Sequence, residues 1–322
     1  MHKKLDKFIN NSKKAKSENM LFKYMKGRLL DQSLFNLRLK LISTHEKSID
    51  ERIVTYKVHQ KLKREYQWYF EEKKVNTENI ISKRDFNKTV WWCWLQGLSD
   101  APTLSKVCLN SAKKYFSDYQ FNIVTLDNID KYISIPNSIM QKYKAGIIKS
   151  ATFSDILRLM LLDEYGGVWL DSTVLCTNDK IKNIVENNSF FAFKNGLLEN
   201  NQDIKLSSWF LSCSSGNLLI HDTKRLMIHY WENHDFTENY YLMHLLFTIV
   251  TEKYPQLWND VPTYSNVPPH ILVKELNSKF SQQLFEQLNS LSSVHKLNNH
   301  RSYDIGNTLY GFLVEIYGDG EK

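Results

Sequence analysis

Three charged side chains stand out by type and spacing: Asp155, Arg158 and Asp171. Asp155 and Arg158 lie three positions apart, so on a helix they share one face. A carboxylate accepts hydrogen bonds from hydroxyls, and a guanidinium offers a rigid fork of donors to oxygen. Together they suit a sugar or a phosphate. Asp171 follows the apolar run Val168-Trp169-Leu170, at the point where a short strand would end. In open α/β sheets the carboxyl ends of strands form the ligand crevice, so an acid there is suspicious. A surface i,i+3 ion pair would be worth only about 0.2–0.5 kcal/mol. The apolar residues around Asp155 and Arg158 argue against open water.

The elements that must position these groups can be read from periodicity. Phe153, Ile156, Leu157, Met160 and Leu161 recur at helical spacing, and Gly166-Gly167 supplies a stop that tolerates positive φ. Upstream, Thr89-Val90-Trp91-Trp92-Cys93-Trp94 is β-branched and aromatic, a buried strand that ends before Gly97. Pro102-Thr103 opens a helix running to about Phe116, and Phe121–Leu126 is the next strand. Strand, helix and strand at this spacing form a βαβ unit, which predicts a parallel sheet. No GxGxxG or Gly-rich phosphate loop accompanies it, which argues against a dinucleotide fold and a P-loop.

Ser154-Asp155-Ile156-Leu157-Arg158, followed by Tyr165-Gly166-Gly167-Val168-Trp169-Leu170-Asp171, resembles the signature of sugar transferases with a DxD motif. The nearest group is the capsular polysaccharide synthesis glycosyltransferases, whose core the large clostridial glucosylating toxins share. The resemblance covers residues 89 to about 300. It implies an α/β fold of the GT-A type, a nucleotide-sugar-binding sheet flanked by helices, and a retaining hexosyltransferase using a nucleotide diphosphate sugar, with UDP expected. The acceptor it implies is a capsular or other cell-surface glycan, free or lipid-linked. On the donor side it points to Trp94, Gln96 and Gly97 for the base, to Asp155 and Arg158 for the sugar, and to Gly167, Asp171, Ser172 and Thr173 around the motif. Near the end of the chain, Val294-His295-Lys296-Leu297 resembles the family's His-Lys-Leu segment, which adds His295 and Lys296 on a loop over the diphosphate. Ser208, Trp209, Asn239 and His244 fall on the acceptor side. A divalent metal, Mn²⁺ or Mg²⁺, is implied as cofactor, with Asp171, Thr173 and His295 as ligands. Here the chain departs from the pattern: Thr173 stands where the second acid of DxD would be. That departure leaves room for a basic residue in place of the metal. It also motivates an alternative, a degenerate protein that binds nucleotide sugar without turnover. A toxin-like transferase acting on a host protein shares the same core.

Length and composition are those of a globular protein. The 322 residues are 42% hydrophobic and 13% aromatic, with only 11 Gly and 6 Pro, enough to bury a large core. Cys93, Cys108, Cys176 and Cys213 show no CxxC pairing and read as reduced, buried thiols of a cytoplasmic protein. Neither a long apolar run nor a signal-type start is present. The net charge of +7 is uneven: residues 1–90 hold 22 Lys/Arg against 11 Asp/Glu. That basic end could rest on the anionic inner face of a membrane, at about 1 kcal/mol per well-placed cation. No nucleic-acid-binding motif supports the other use of a basic surface. The expected organisation is a helical N-terminal segment over 1–88, including a helix from Ser48 to about Tyr69, and a transferase domain over 89–322. Later helices are expected over Leu218–Trp231, Asn239–Tyr254 and Phe280–Leu291, with Phe190–Phe193 as a strand and Ser207–Leu211 opening another buried segment.

Overall fold

The computed structural model describes residues 47–75, 86–196 and 203–318, with side chains from Arg52 onward. The first 46 residues of the helical N-terminal segment expected over 1–88 lie outside these residues. Helix α1 (Lys47–Glu65) and the short α2 (Gln67–Glu71) realise the helix expected from Ser48, with a break at Tyr66. Their Val58 and Leu62, with Tyr66 and Tyr69, are fully buried in the main hydrophobic cluster. Tyr69 donates a 2.7 Å hydrogen bond to Asp222, which ties this segment to the body of the fold.

From there the chain runs through β1 (Thr89–Cys93), α3 (Thr103–Tyr115), β2 (Gln120–Val124), α4 (Asn137–Lys144), α5 (Ser150–Tyr165) and β3 (Gly167–Leu170). Next come β4 (Val174–Cys176), α6 (Lys180–Glu186), β5 (Phe190–Lys194), β6 (Leu206–Cys213), α7 (Leu218–Asn233) and α8 (Leu242–Lys253). The last part holds α9 (Pro255–Asn259), α10 (Leu272–Glu275), α11 (Gln282–Leu291), β7 (Val294–Lys296) and α12 (Leu309–Tyr317). The main sheet has the order β2-β1-β3-β6-β5. β1 pairs in parallel with β2 and β3, as the βαβ reading requires, but β6 is antiparallel to both β3 and β5. The sheet is therefore mixed, with helices packed on it.

Three features of this sheet set up the site. First, β1 and β3 are in register, Trp92 opposite Leu170, so Cys93-Trp94 and Asp171 emerge at the same edge. Second, the reversed β6 begins where β3 ends, and the Asp171 amide donates 2.9 Å to the Trp209 carbonyl. Third, the turn Asp171-Ser172-Thr173 leads into β4, which pairs with β7 in a separate two-stranded ladder. The Leu297 amide closes that ladder on the Thr173 carbonyl at 2.8 Å. The C-terminal region is thus brought to the end of β3. The His295-Lys296 stretch, expected on a loop, is part of a strand.

Helix α5 ends at Gly166 and Gly167, with φ of 66° and 94°. A Cβ at Gly167 would lie 2.4 Å from the Thr89 carbonyl oxygen, so the close β1–β3 approach needs glycine there.

Candidate functional site

Helix α5 is apolar on most sides: Phe153, Ile156, Leu157, Leu161 and Leu162 are buried in the core. Asp155 and Arg158 occupy the remaining face, directed at the carboxyl edge of β3. The Arg158 guanidinium, 6% exposed, reaches Asp155 Oδ1 at 3.2 Å and Asp171 Oδ1 at 3.1 Å. It also donates 2.9 Å to the Ser208 carbonyl and lies 5.1 Å from the Trp169 ring centroid. The Trp169 indole donates 2.9 Å to Asp171 Oδ1, and Lys296 donates 3.0 Å to Asp171 Oδ2 and 2.6 Å to the Thr173 hydroxyl. One arginine and one lysine thus bracket Asp171 while Asp155 shares the arginine.

The two acids are held in opposite protonation tendencies. Burial pushes the Asp155 carboxyl up to about 6, against the pull of Arg158 and with the push of Asp171. Burial acts on Asp171 in the same sense, but Lys296 and Arg158 outweigh it and hold that carboxyl at about 2. Asp171 is therefore a fixed anion, and Asp155 titrates near neutrality. A pair of carboxyls separated in this way is a familiar mark of an active site.

These groups line a cleft of about 740 Å³. Trp94 and Gln96 form one wall, with Cys93 between the strand and the helix. The Cys93 thiol is pushed up to about 12 by burial, so it is no nucleophile at neutral pH. Ser172, Thr173, Ser208 and His244 also line it, as does the 76%-exposed Tyr240. Burial, helped by Arg158, depresses the His244 imidazole to about 3, so it is neutral. Trp91 and Trp92 are core residues, at 2% and 1% exposure.

Several expected residues lie elsewhere. His295 is fully buried, with Nε2 3.3 Å from the Thr177 hydroxyl, and does not line the cleft. The reason is strand alternation: Lys296 and His295 are neighbours on β7 and point to opposite faces. Trp209 is displaced by the same rule. It stacks on Phe193 at 4.9 Å while its neighbour Ser208 faces the cleft. Asn239 accepts 2.8 Å from the Tyr241 amide and donates 3.3 Å to Thr55, bracing the entry to α8. Gly97 closes the turn after Trp94, its amide donating 3.0 Å to the Trp94 carbonyl, and Gly167 serves the β1–β3 contact. Neither glycine lines the cleft. The residues that sequence reasoning missed are His270 and the segment Asn298-Asn299-His300-Arg301, which forms the wall beyond Lys296. A cluster of polar and basic residues just after the His-Lys-Leu segment was the available signal.

The divalent metal implied by the DxD resemblance does not fit this donor set. Both oxygens of Asp171 already accept from cationic or N–H donors, and an ammonium sits on the Thr173 hydroxyl. His295 faces the core. Hard divalent cations need several oxygen ligands, and a lone hydroxyl already bound to an ammonium is a poor one. Among the described residues the only cluster of three metal-ligating side chains is Glu65, His234 and Glu238, away from the cleft. In that cluster Lys61 pairs with Glu238, and His234 lies 3.2 Å from Glu65.

Comparison with known proteins agrees with the motif reading. The family described as "Capsular polysaccharide synthesis protein" matches residues 38–313. Among solved structures the chain is similar to "PaToxG Glycosyltransferase", with a TM-score of 0.38 and 14% identity over 74% of this chain and 86% of that one. It is also similar to the WbbM bifunctional glycosyltransferase in its apo form, with a TM-score of 0.40 and 10% identity over 73% of this chain and 50% of that one. No curated protein matches significantly. No helix among the described residues is long and apolar enough to cross a membrane. With the family match spanning most of its length, the chain belongs to the capsular polysaccharide synthesis protein family.

Proposed function

We propose that the cleft transfers a hexose from a nucleotide diphosphate sugar, UDP-linked, to a capsular or other surface glycan, with retention of anomeric configuration. The observation that carries this reading is the convergence of Asp155, Arg158, Asp171 and Lys296 at the carboxyl end of β3, in a cleft large enough for such a donor. Trp94 offers an aromatic face for the base, worth about 1–3 kcal/mol if stacked. The diphosphate lies towards Lys296, His300 and Arg301, while Asp155 and Arg158 meet the sugar hydroxyls. The acceptor enters past Tyr240 and His244.

The described lining contains no second carboxylate free to act as nucleophile, since Asp155 and Asp171 both engage Arg158. Attack from the leaving-group face then follows. The acceptor oxygen bonds to the anomeric carbon as the bond from that carbon to the phosphate oxygen breaks, and the acceptor proton passes to the departing diphosphate. The products are a glycoside and a nucleoside diphosphate. Fixed cations stabilise the charge that develops on the leaving group. Such a reaction places the protein beside its nucleotide-sugar pool, on the cytoplasmic side, with the basic N-terminal segment able to meet an anionic leaflet.

Calorimetry against UDP-, GDP- and dTDP-hexoses tests the donor assignment. UDP-sugars should bind most tightly, and Arg158→Ala should abolish that binding. Unchanged affinity in the mutant removes Arg158 from the site. The anomeric configuration of the product, read by NMR, tests the mechanism; inversion refutes it.

A further inference from the structure

The DxD motif and this cleft disagree on one point: a cation is required at the diphosphate, yet the residues offered do not build a metal site. Resting on the donor-site reading above, we propose that the Lys296 ammonium takes the place of the divalent cation, so that donor binding and turnover need no metal.

Four observations support this. Thr173 stands where the second carboxylate would be, and its hydroxyl accepts a 2.6 Å hydrogen bond from Lys296. The remaining oxygen of Asp171 is taken by the same ammonium at 3.0 Å, while Arg158 and Trp169 hold the other. The ladder between β4 and β7 pins the register, with Val174 opposite Lys296 and Leu175 opposite His295. A one-residue slip would exchange the two side chains, so the register selects the lysine for the cleft and sends the histidine to the core. Finally, the charged lining is cationic in balance: Asp155 and Asp171 face Arg158, Lys296 and Arg301. An ammonium has three donors, and two of them are used here. The third remains for a phosphate oxygen, and the side chain is 22% exposed at the cleft wall.

In chemical terms the lysine acts as a point charge on the leaving diphosphate, the role a metal plays in DxD enzymes. Asp171 and Thr173 become its anchors rather than ligands. They hold the ammonium in place, so that no reorganisation is needed when charge develops on the leaving group.

The test is calorimetric titration of the full chain with UDP, GDP and dTDP, in EDTA and in Mn²⁺. The best of these probes should bind with the same Kd in both buffers, within about twofold. Lys296→Met should weaken binding in EDTA by about tenfold or more, and Lys296→Arg should recover most of the loss. The double variant Thr173→Asp/Lys296→Met rebuilds the acid pair and should bind more tightly with Mn²⁺ than without. Loss of wild-type binding in EDTA with rescue by Mn²⁺ overturns the proposal while leaving the donor site intact. Unchanged binding of Lys296→Met in EDTA overturns it equally. Failure of all three nucleotides under either condition overturns the donor site itself, and this inference with it. Folding of each variant is read from its thermal transition, and Lys296→Arg supplies the comparison if Lys296→Met does not fold.

Discussion

Replacing Asp155 by asparagine should make the protein more stable and less active. Burial raises this carboxyl from its ordinary value of 3.8 to about 6, even with Arg158 3.2 Å away. Its side chain is 15% exposed, so solvent screening is modest. That rise corresponds to about 3 kcal/mol. The sign follows from linkage. The folded pKa lies above the unfolded one, so ionisation favours unfolding; the penalty is absent below about pH 4 and complete above about pH 6. An asparagine amide keeps the shape and carries no charge, so Asp155→Asn should gain up to about 3 kcal/mol at pH 7.5 and about half of that at pH 5. Urea denaturation of both proteins at the two pH values measures this directly. Activity should fall, because the carboxylate that accepts from the sugar is gone. Equal stability of the two proteins at pH 7.5, or a gain that does not shrink at pH 5, refutes the reasoning.

Other outcomes follow from the same geometry. Because an ionised Asp155 is the stronger acceptor for a sugar hydroxyl, kcat/KM for the donor should rise with pH through about 6, and this limb should vanish in Asp155→Asn. Asp171, held at about 2 by Lys296 and Arg158 against its burial, contributes stability that is present above pH 4 and lost only as pH falls towards 2. Acid titration followed by circular dichroism of the Asp171→Asn variant should lack that contribution. Gly167→Ala, at φ 94° with the Thr89 carbonyl 2.4 Å from the new Cβ, should lower stability in denaturant titration by about 1–3 kcal/mol or more. Tyr240→Ala should raise the acceptor KM and leave the donor KM and the thermal transition unmoved, since the ring is 76% exposed.

The part of the site carried by local sequence was legible. The spacing of Asp155 and Arg158 on an apolar helix, the Gly-Gly stop and the acid after a three-residue apolar run are all features of one short stretch of chain. The structure brings those three side chains together. What stayed hidden depends on long-range pairing. The antiparallel entry of β6 turns the expected parallel sheet into a mixed one, and no local feature of Leu206–Cys213 fixes its direction. The orientations of His295 and Lys296, and of Ser208 and Trp209, depend on strand register, because a period of two assigns neighbours to opposite faces without saying which is which. All four residues were expected at the site; Lys296 and Ser208 line the cleft, and the histidine and the tryptophan went to the core. The closing helix α12 was also overlooked. Its buried Leu309, Tyr310, Leu313 and Tyr317 have helical spacing, and the Thr308 hydroxyl accepts from the Gly311 amide as an N-cap.

The central claim is that Asp155, Arg158, Asp171 and Lys296 form a single donor site at the end of β3. A crystal structure of the full chain with bound UDP-hexose tests it most directly. The sugar should lie within hydrogen-bond reach of Asp155 and Arg158, with the diphosphate beside Lys296. A donor bound elsewhere, with these four side chains still closed on one another, would contradict it.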